Sequence, residues 1–389
     1  MHPRIVYVVP LLDLDTEQHF YNLYDLLGRV SQHADLEVIA EKGERNASIP
    51  GVERVVVQRF TMPLLRALEL FFLIARAVWS GRDRIYVHYS TYGGLAGLLC
   101  RFLFGARVFY WNCEENAGHW RPSRSRLDLA TMKARLLIEW PTGLVIRLVD
   151  RLVTGTPRMA TYYQRVYGIG PRRTRVMPNS VDPARFHPAT TADEPELAAR
   201  ARELEIPPDA EVALFVHRLS PRKGSRDLPD LMERLARRRP QLFWLIAGDG
   251  PDRAWLEGEI RSRGLGARVR ILGNVPNRGV SVYYRLSRVL VMPSRQEGFP
   301  RVLIEAMASG LPFVATAVGG VEEVAGELAC DETLAARGNI EQVADLVERV
   351  LADEDLAARL AAEGIDRARC YTPERVVKRF LEITRERLS

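Results

Sequence analysis

Short apolar, β-branched runs alternate with amphipathic helical runs along most of this chain, and that alternation restricts the fold more than any other feature. Residues 4–9 (RIVYVV), 36–40, 52–58, 85–88 and 107–111 read as strands, with helical spacing over 17–27, 64–79 and 93–104. The pattern resumes at 211–216 (EVALFV), 243–247, 269–272, 287–292 and 314–317, with helices over 252–263, 341–351 and 356–368. Strands separated by helices form crossover connections rather than hairpins, which predicts α/β architecture with doubly wound parallel sheets. At 389 residues the chain is too long for one such domain and suits two. Ligands of such sheets bind at the carboxyl ends of the strands.

Charge separates the two halves. The net charge is +6, but residues 1–185 hold 25 Lys or Arg against 17 Asp or Glu, whereas residues 186–389 hold 30 against 32. Residues 61–175 alone hold 18 basic and 7 acidic residues. A basic half attracts lipid headgroups, a phosphate-bearing substrate or nucleic acid, unless it is simply a solvated arginine-rich surface. Nucleic acid is the least favoured partner, because the basic region lacks interleaved exposed aromatics or a reader motif. Only Lys42, Lys133, Lys223 and Lys378 are lysine, so each is informative in a chain that otherwise uses arginine. Cys100, Cys113, Cys330 and Cys370 have no metal spacing and read as reduced thiols. The chain opens on a strand-like run rather than a signal peptide, and Arg66, Glu69 and Arg76 interrupt the apolar stretch 64–79. A cytoplasmic protein is expected, with a peripheral place on the inner face of the membrane as an option.

The stretch 293–312 (PSRQEGFPRVLIEAMASGLP) carries the clearest chemistry. The strand before it ends at Pro293-Ser294, and Pro300 is suited to the first position of a helix. Val302, Leu303, Ala306, Met307 and Leu311 supply that helix with an apolar face, and Gly310 with Pro312 stops it. Free N–H groups at such a helix start favour a phosphate or diphosphate. Glu297 lies in the loop and Glu305 about 7.5 Å along the helix at about 1.5 Å per residue. Carboxylates do not hold phosphate, so hydroxyls, and hence sugars, are their natural partners. The plain alternative is a solvated loop charge and an ordinary helix-surface residue.

Glu297 and Glu305, with seven residues between them in an EGFP…EAMASGLP context, resemble the E-x7-E signature of retaining glycosyltransferase family 4. The likeness covers most of 140–325 and is weaker before 140. It implies a GT-B fold, two Rossmann-like domains facing across a cleft, here 1–185 and 186–370 with a terminal helix, 371–389, returning to the first. RVMPNSVDPARF (175–186) resembles the interdomain segment, with Asn179 and Asp182 matching. The donor would be a nucleotide-diphosphate sugar, UDP- or GDP-linked, with no cofactor and no metal. HRLSPRKG (217–224) resembles the segment in which Arg and Lys clamp the donor diphosphate, here Arg218 and Lys223. Glu297 would hold sugar hydroxyls and Glu305 the ribose, with Gly298, Phe299 and Val302 beside them and Asn274 and Val275 against the base. Configuration would be retained by leaving-group-assisted front-face transfer to a glycan or lipid-linked acceptor. Such a hexosyltransferase would serve cell-envelope or exopolysaccharide synthesis.

Three departures stand out. The first loop, LDLDTEQHF (12–20), lacks the family's paired glycines, although Glu17 and His19 match acceptor-side polar positions. Its Asp13-Leu14-Asp15 is placed wrongly for a metal-binding D-x-D and reads as a turn or helix start. Asn112 takes the place of a histidine near the reaction centre, with His119 close by, and His217 replaces a glycine. Asn can bind a hydroxyl but is no general base. A nucleotide-sugar epimerase or phosphorylase of the same fold, or a non-catalytic sugar-nucleotide-binding protein at a membrane surface, are the alternatives.

Overall fold

A computed structural model of the chain describes residues 2–13, 21–113 and 139–386. The chain divides into two compact units, Met1–Pro178 with Glu374–Ser389, and Asn179–Pro373.

The first unit is built on seven parallel strands: β1 (Arg4–Val9), β2 (Asp35–Ala40), β3 (Arg54–Val57), β4 (Arg84–His88), β5 (Arg107–Trp111), β6 (Arg151–Thr154) and β7 (Thr174–Val176). Their order is β3-β2-β1-β4-β5-β6-β7, with Tyr7 of β1 in register with Val38 and Tyr86 on either side. Ile5 to Val9 are all fully buried, as a strand covered on both faces requires. Ile5, Tyr7 and Val9 pack with helix Tyr21–Val30 and with Val376, Phe380 and Ile383 of the terminal helix Pro373–Arg385. Val6 and Val8 pack on the other face, under helices Pro63–Trp79, Thr91–Phe104 and Trp140–Leu148.

The second unit has six parallel strands: β8 (Glu211–Val216), β9 (Leu242–Ala247), β10 (Val269–Gly273), β11 (Val289–Met292), β12 (Phe313–Thr316) and β13 (Leu334–Ala335). Their order, β10-β9-β8-β11-β12-β13, reverses direction between β8 and β11. Such a reversal is the switch point at which doubly wound sheets take ligands.

One local expectation is corrected. Pro300 is not the first helical residue; it caps helix Arg301–Ala308 with an extended ψ of 94°, and its carbonyl accepts from Leu303 N–H at 3.2 Å. The helix stops before Gly310, whose φ of +65° few other residues would adopt. All four cysteines are free. Among the described residues no helix is long and apolar enough to cross a membrane.

Candidate functional site

The carboxyl ends of β8 and β11 lie side by side because the strands are parallel neighbours. Two loops therefore meet: His217–Gly224 after β8, and Pro293–Pro300 after β11. Gly224, at a φ of +77°, lets them touch; a Cβ there would sit 2.1 Å from the Pro293 carbonyl oxygen. The Arg295 backbone N–H donates to the Arg222 carbonyl at 2.9 Å, and the Arg295 guanidinium forks onto Asp227 at 2.7 and 3.0 Å. A third loop, after β12, supports them from the other side. Gly319, at φ +55°, lies under Glu297 so closely that a Cβ would fall 1.6 Å from the Glu297 carbonyl oxygen.

Within this frame Glu297 is 3% exposed. Lys223 Nζ donates to its Oε2 at 2.7 Å and Ser294 Oγ to its Oε1 at 2.7 Å. His217 Nε2 lies 3.0 Å from Oε1, a close contact whose alignment falls short of a hydrogen bond. Burial opposes ionisation of Glu297, but the Lys223 ammonium outweighs it and holds the carboxyl well below the usual carboxylate range. Burial pushes the His217 imidazole down, Lys223 adds to this, and Glu297 only partly offsets it, so the ring is neutral near pH 7. Near pH 7 Glu297 is thus a charged hydrogen-bond acceptor and not a proton donor.

Glu305, fifth in helix Arg301–Ala308, is 4% exposed, and the buried Tyr284 hydroxyl donates to its Oε2 at 2.7 Å. Neither glutamate is the solvated charge of the plain alternative. Arg218, one residue past His217, is exposed. Gly298 and Val302 are half-buried, and the Phe299 ring stands edge-on to Tyr371 with centroids 5.8 Å apart. Asn274 is exposed and Val275 half-buried in the loop after β10. The second unit therefore brings Lys223, Glu297, His217 and Ser294 into one cluster and sets Tyr284 on Glu305; local sequence reading had named neither Ser294 nor Tyr284 as a site residue. Ser294 stands three residues before Glu297 in the same loop, a local contact, whereas Tyr284 comes from another helix and is recruited through the tertiary fold.

Asn112 belongs to the first unit, at the end of β5. It is 3% exposed, and its Oδ1 accepts from the Tyr163 hydroxyl at 2.8 Å. Glu17, His19 and His119 lie outside the described residues, as do Leu14 and Asp15 of the D-x-D.

Comparison with known proteins agrees with this architecture. Residues 199–367 match the family model "Glycosyl transferases group 1", and residues 16–185 match "Glycosyltransferase Family 4". The 2-deoxystreptamine glucosyltransferase of Streptomyces kanamyceticus is 31% identical over 236 residues, 57% of this chain and 60% of that protein. The D-inositol 3-phosphate glycosyltransferase of Streptosporangium roseum is 35% identical over 191 residues, 46% of this chain and 41% of that one. The chain thus spans less than two thirds of the length of either curated relative. Anabaena HepE, solved in complex with UDP-glucose, superposes with a TM-score of 0.78 at 19% identity, over 98% of this chain and 99% of that one. Matched by family models on both halves and sharing the GT-B fold, the chain belongs to glycosyltransferase family 4.

Proposed function

We propose that this protein transfers a hexose from a UDP- or GDP-sugar to a glycan or lipid-linked acceptor, with retention of configuration. The carrying observation is the Lys223–Glu297 pair, set at 2.7 Å at the carboxyl ends of the neighbouring strands β8 and β11. In this reading Arg218 and Lys223 neutralise the diphosphate, whose charge grows as the glycosidic bond breaks. They supply this positive charge without a metal ion. Glu297 binds donor-sugar hydroxyls through lone pairs that Lys223 and Ser294 leave open, and Glu305 binds the ribose. Asn274, Val275, Gly298, Phe299 and Val302 line the donor, Glu17 and His19 serve the acceptor side, and Asn112 and His119 serve the reaction centre.

A Glu297 held by Lys223 and Ser294 makes a poor nucleophile, because attack on the sugar would cost both bonds. Its ionised state also rules it out as a general acid near pH 7. Both points favour front-face departure of the leaving group over a covalent glycosyl intermediate. The basic balance of residues 61–175 supports an acceptor presented at an anionic membrane surface on the cytoplasmic side, as in envelope or exopolysaccharide synthesis.

The test is thermal unfolding of the full chain with UDP-, GDP- and ADP-sugars, repeated with Glu305→Ala and Lys223→Ala, followed by assay of nucleoside diphosphate release with candidate acceptors. One nucleotide class should raise the melting temperature, and both variants should lose that rise. No shift with any nucleotide sugar, in folded protein, overturns the reading.

A further inference from the structure

The first unit carries a broad apolar surface that the donor site does not use. Helices Pro63–Trp79, Thr91–Phe104 and Trp140–Leu148 lie side by side over one face of its sheet. Each buries one side, through Leu70, Ile74 and Ala77 in the first, Ala96 and Cys100 in the second, and Val145 and Ile146 in the third. Each is also apolar on its outer side. Leu64, Leu68, Phe72 and Trp79 recur at helical spacing along the first helix and are exposed. Leu99, Phe102 and Leu103 do the same on the second, and Trp140, Leu144 and Leu148 on the third. Trp79 and Phe102 are each 84% exposed and Trp140 is 81% exposed. The rings of Trp79 and Phe104 meet with centroids 6.3 Å apart, which joins the first two stripes into one surface. A helix apolar on all sides belongs in a core or against another apolar phase, and a contiguous exposed patch marks a contact surface.

Charge decides what covers it. Helices Thr91–Phe104 and Trp140–Leu148 contain no Asp or Glu. Glu69, the one acid of Pro63–Trp79, is spent on the backbone N–H groups of Arg59 and Phe60. Three arginines converge on the end of the third helix: Arg101 donates to the Leu148 carbonyl at 2.5 Å, Arg173 to the Arg147 carbonyl at 2.7 Å, and Arg147 to the Tyr167 carbonyl at 2.9 Å. Asp150, 3.1 Å from Arg101, is the one carboxylate paired with them among the described residues. Apolar stripes with exposed tryptophans beside an arginine cluster complement a surface that is apolar within and anionic at its boundary. A second copy docked face to face would set arginines against arginines.

We propose that this three-helix face seats the protein on an anionic lipid bilayer. Phe72, Phe102 and Trp140 enter the boundary between headgroups and acyl chains, while Arg101, Arg147 and Arg173 meet lipid phosphates. The purpose of the contact, delivery of a membrane-presented acceptor, rests on the transferase reading; the contact itself does not.

The test is co-sedimentation of the purified full chain with vesicles of phosphatidylcholine alone or mixed with phosphatidylglycerol, at low and high salt. Binding is expected on the anionic vesicles, weakened by salt. Phe72→Ser with Phe102→Ser should weaken it by about tenfold or more, and Arg147→Gln should lower it on anionic vesicles only. Because all these side chains are exposed, the variants should keep the wild-type melting temperature and any nucleotide-sugar shift. Failure of wild-type protein to sediment with either vesicle overturns the proposal, as does undiminished binding by the double phenylalanine variant. A solution dimer that the same variant abolishes, without vesicle binding, also overturns it and assigns the face to a second copy. Vesicle binding without any nucleotide-sugar shift would sink the donor reading and leave this one standing.

Discussion

Lys223 and Glu297, 74 residues apart in sequence, form a 2.7 Å ion pair that neither β8 nor β11 could build alone. The pair is nearly buried, with Lys223 14% and Glu297 3% exposed at their side chains, so each charge depends on the other for its solvation. Replacing Glu297 by Gln keeps shape and hydrogen-bonding capacity but leaves the ammonium uncompensated. The expected cost is about 1–3 kcal/mol of stability, with loss of the nucleotide-sugar shift. Calorimetry with and without donor checks both; an unchanged shift would remove Glu297 from the donor site.

Gly319→Ala should be far more damaging than its one added methyl suggests. The new Cβ would meet the Glu297 carbonyl at 1.6 Å, and φ is +55°, so the loop carrying Glu297 must move. A loss of roughly 2 kcal/mol or more is expected, together with donor binding. Gly258→Ala, within helix Arg253–Ser262 and with nothing within 4 Å of the new Cβ, should instead stabilise by about 0.5–1 kcal/mol. Paired melts of these two variants separate crowding from simple loss of glycine.

Tyr284→Phe removes the hydroxyl that donates to the buried Glu305. A buried carboxylate deprived of a donor costs about 1–3 kcal/mol, and the nucleotide shift should shrink because Glu305 is no longer held in place. Denaturant titration reads the first effect and a binding titration the second. Wild-type affinity in this variant would show that Tyr284 does not position Glu305 for the ligand.

Acidification should act through buried histidines before it reaches Glu297. Burial holds His88, which shares a 3.1 Å hydrogen bond with Tyr7, down at about 3. The unfolded chain therefore binds the extra proton first, and stability, complete above about pH 6.5, falls as pH drops toward 3, by at most about 1.4 kcal/mol per pH unit per group. His217, also lowered, adds in the same direction. Glu297 has a depressed folded value, so its contribution persists above the unfolded carboxyl value near ~4.3 and is lost only below it. Urea melts between pH 8 and 5 should slope accordingly, and His88→Gln should flatten the slope. An unaltered slope in that variant would show that His88 is not the titrating group.

The alternation of apolar runs and helical periodicity was enough to read two parallel α/β sheets. Strand bounds at Arg4–Val9, Arg107–Trp111 and Glu211–Val216 follow directly from where β-branched runs stop. The spacing of Glu297 and Glu305 likewise marked a loop and a helix. Periodicity describes each element alone, however, and says nothing about strand order. That β8 lies against β11 decides that Lys223 meets Glu297, and that β12 lies on the other side of β11 decides that Gly319 must be bare. Burial turned Glu305 from a helix-surface candidate into a held acceptor. Helix Pro63–Trp79 shows the same limit: its apolar residues run around both sides, and only neighbouring helices determine that Leu70 and Ile74 face the sheet while Leu64 and Phe72 face outward. Local sequence sets which conformation each segment prefers; the strand order, a long-range property of the packed sheet, sets which side chains come together.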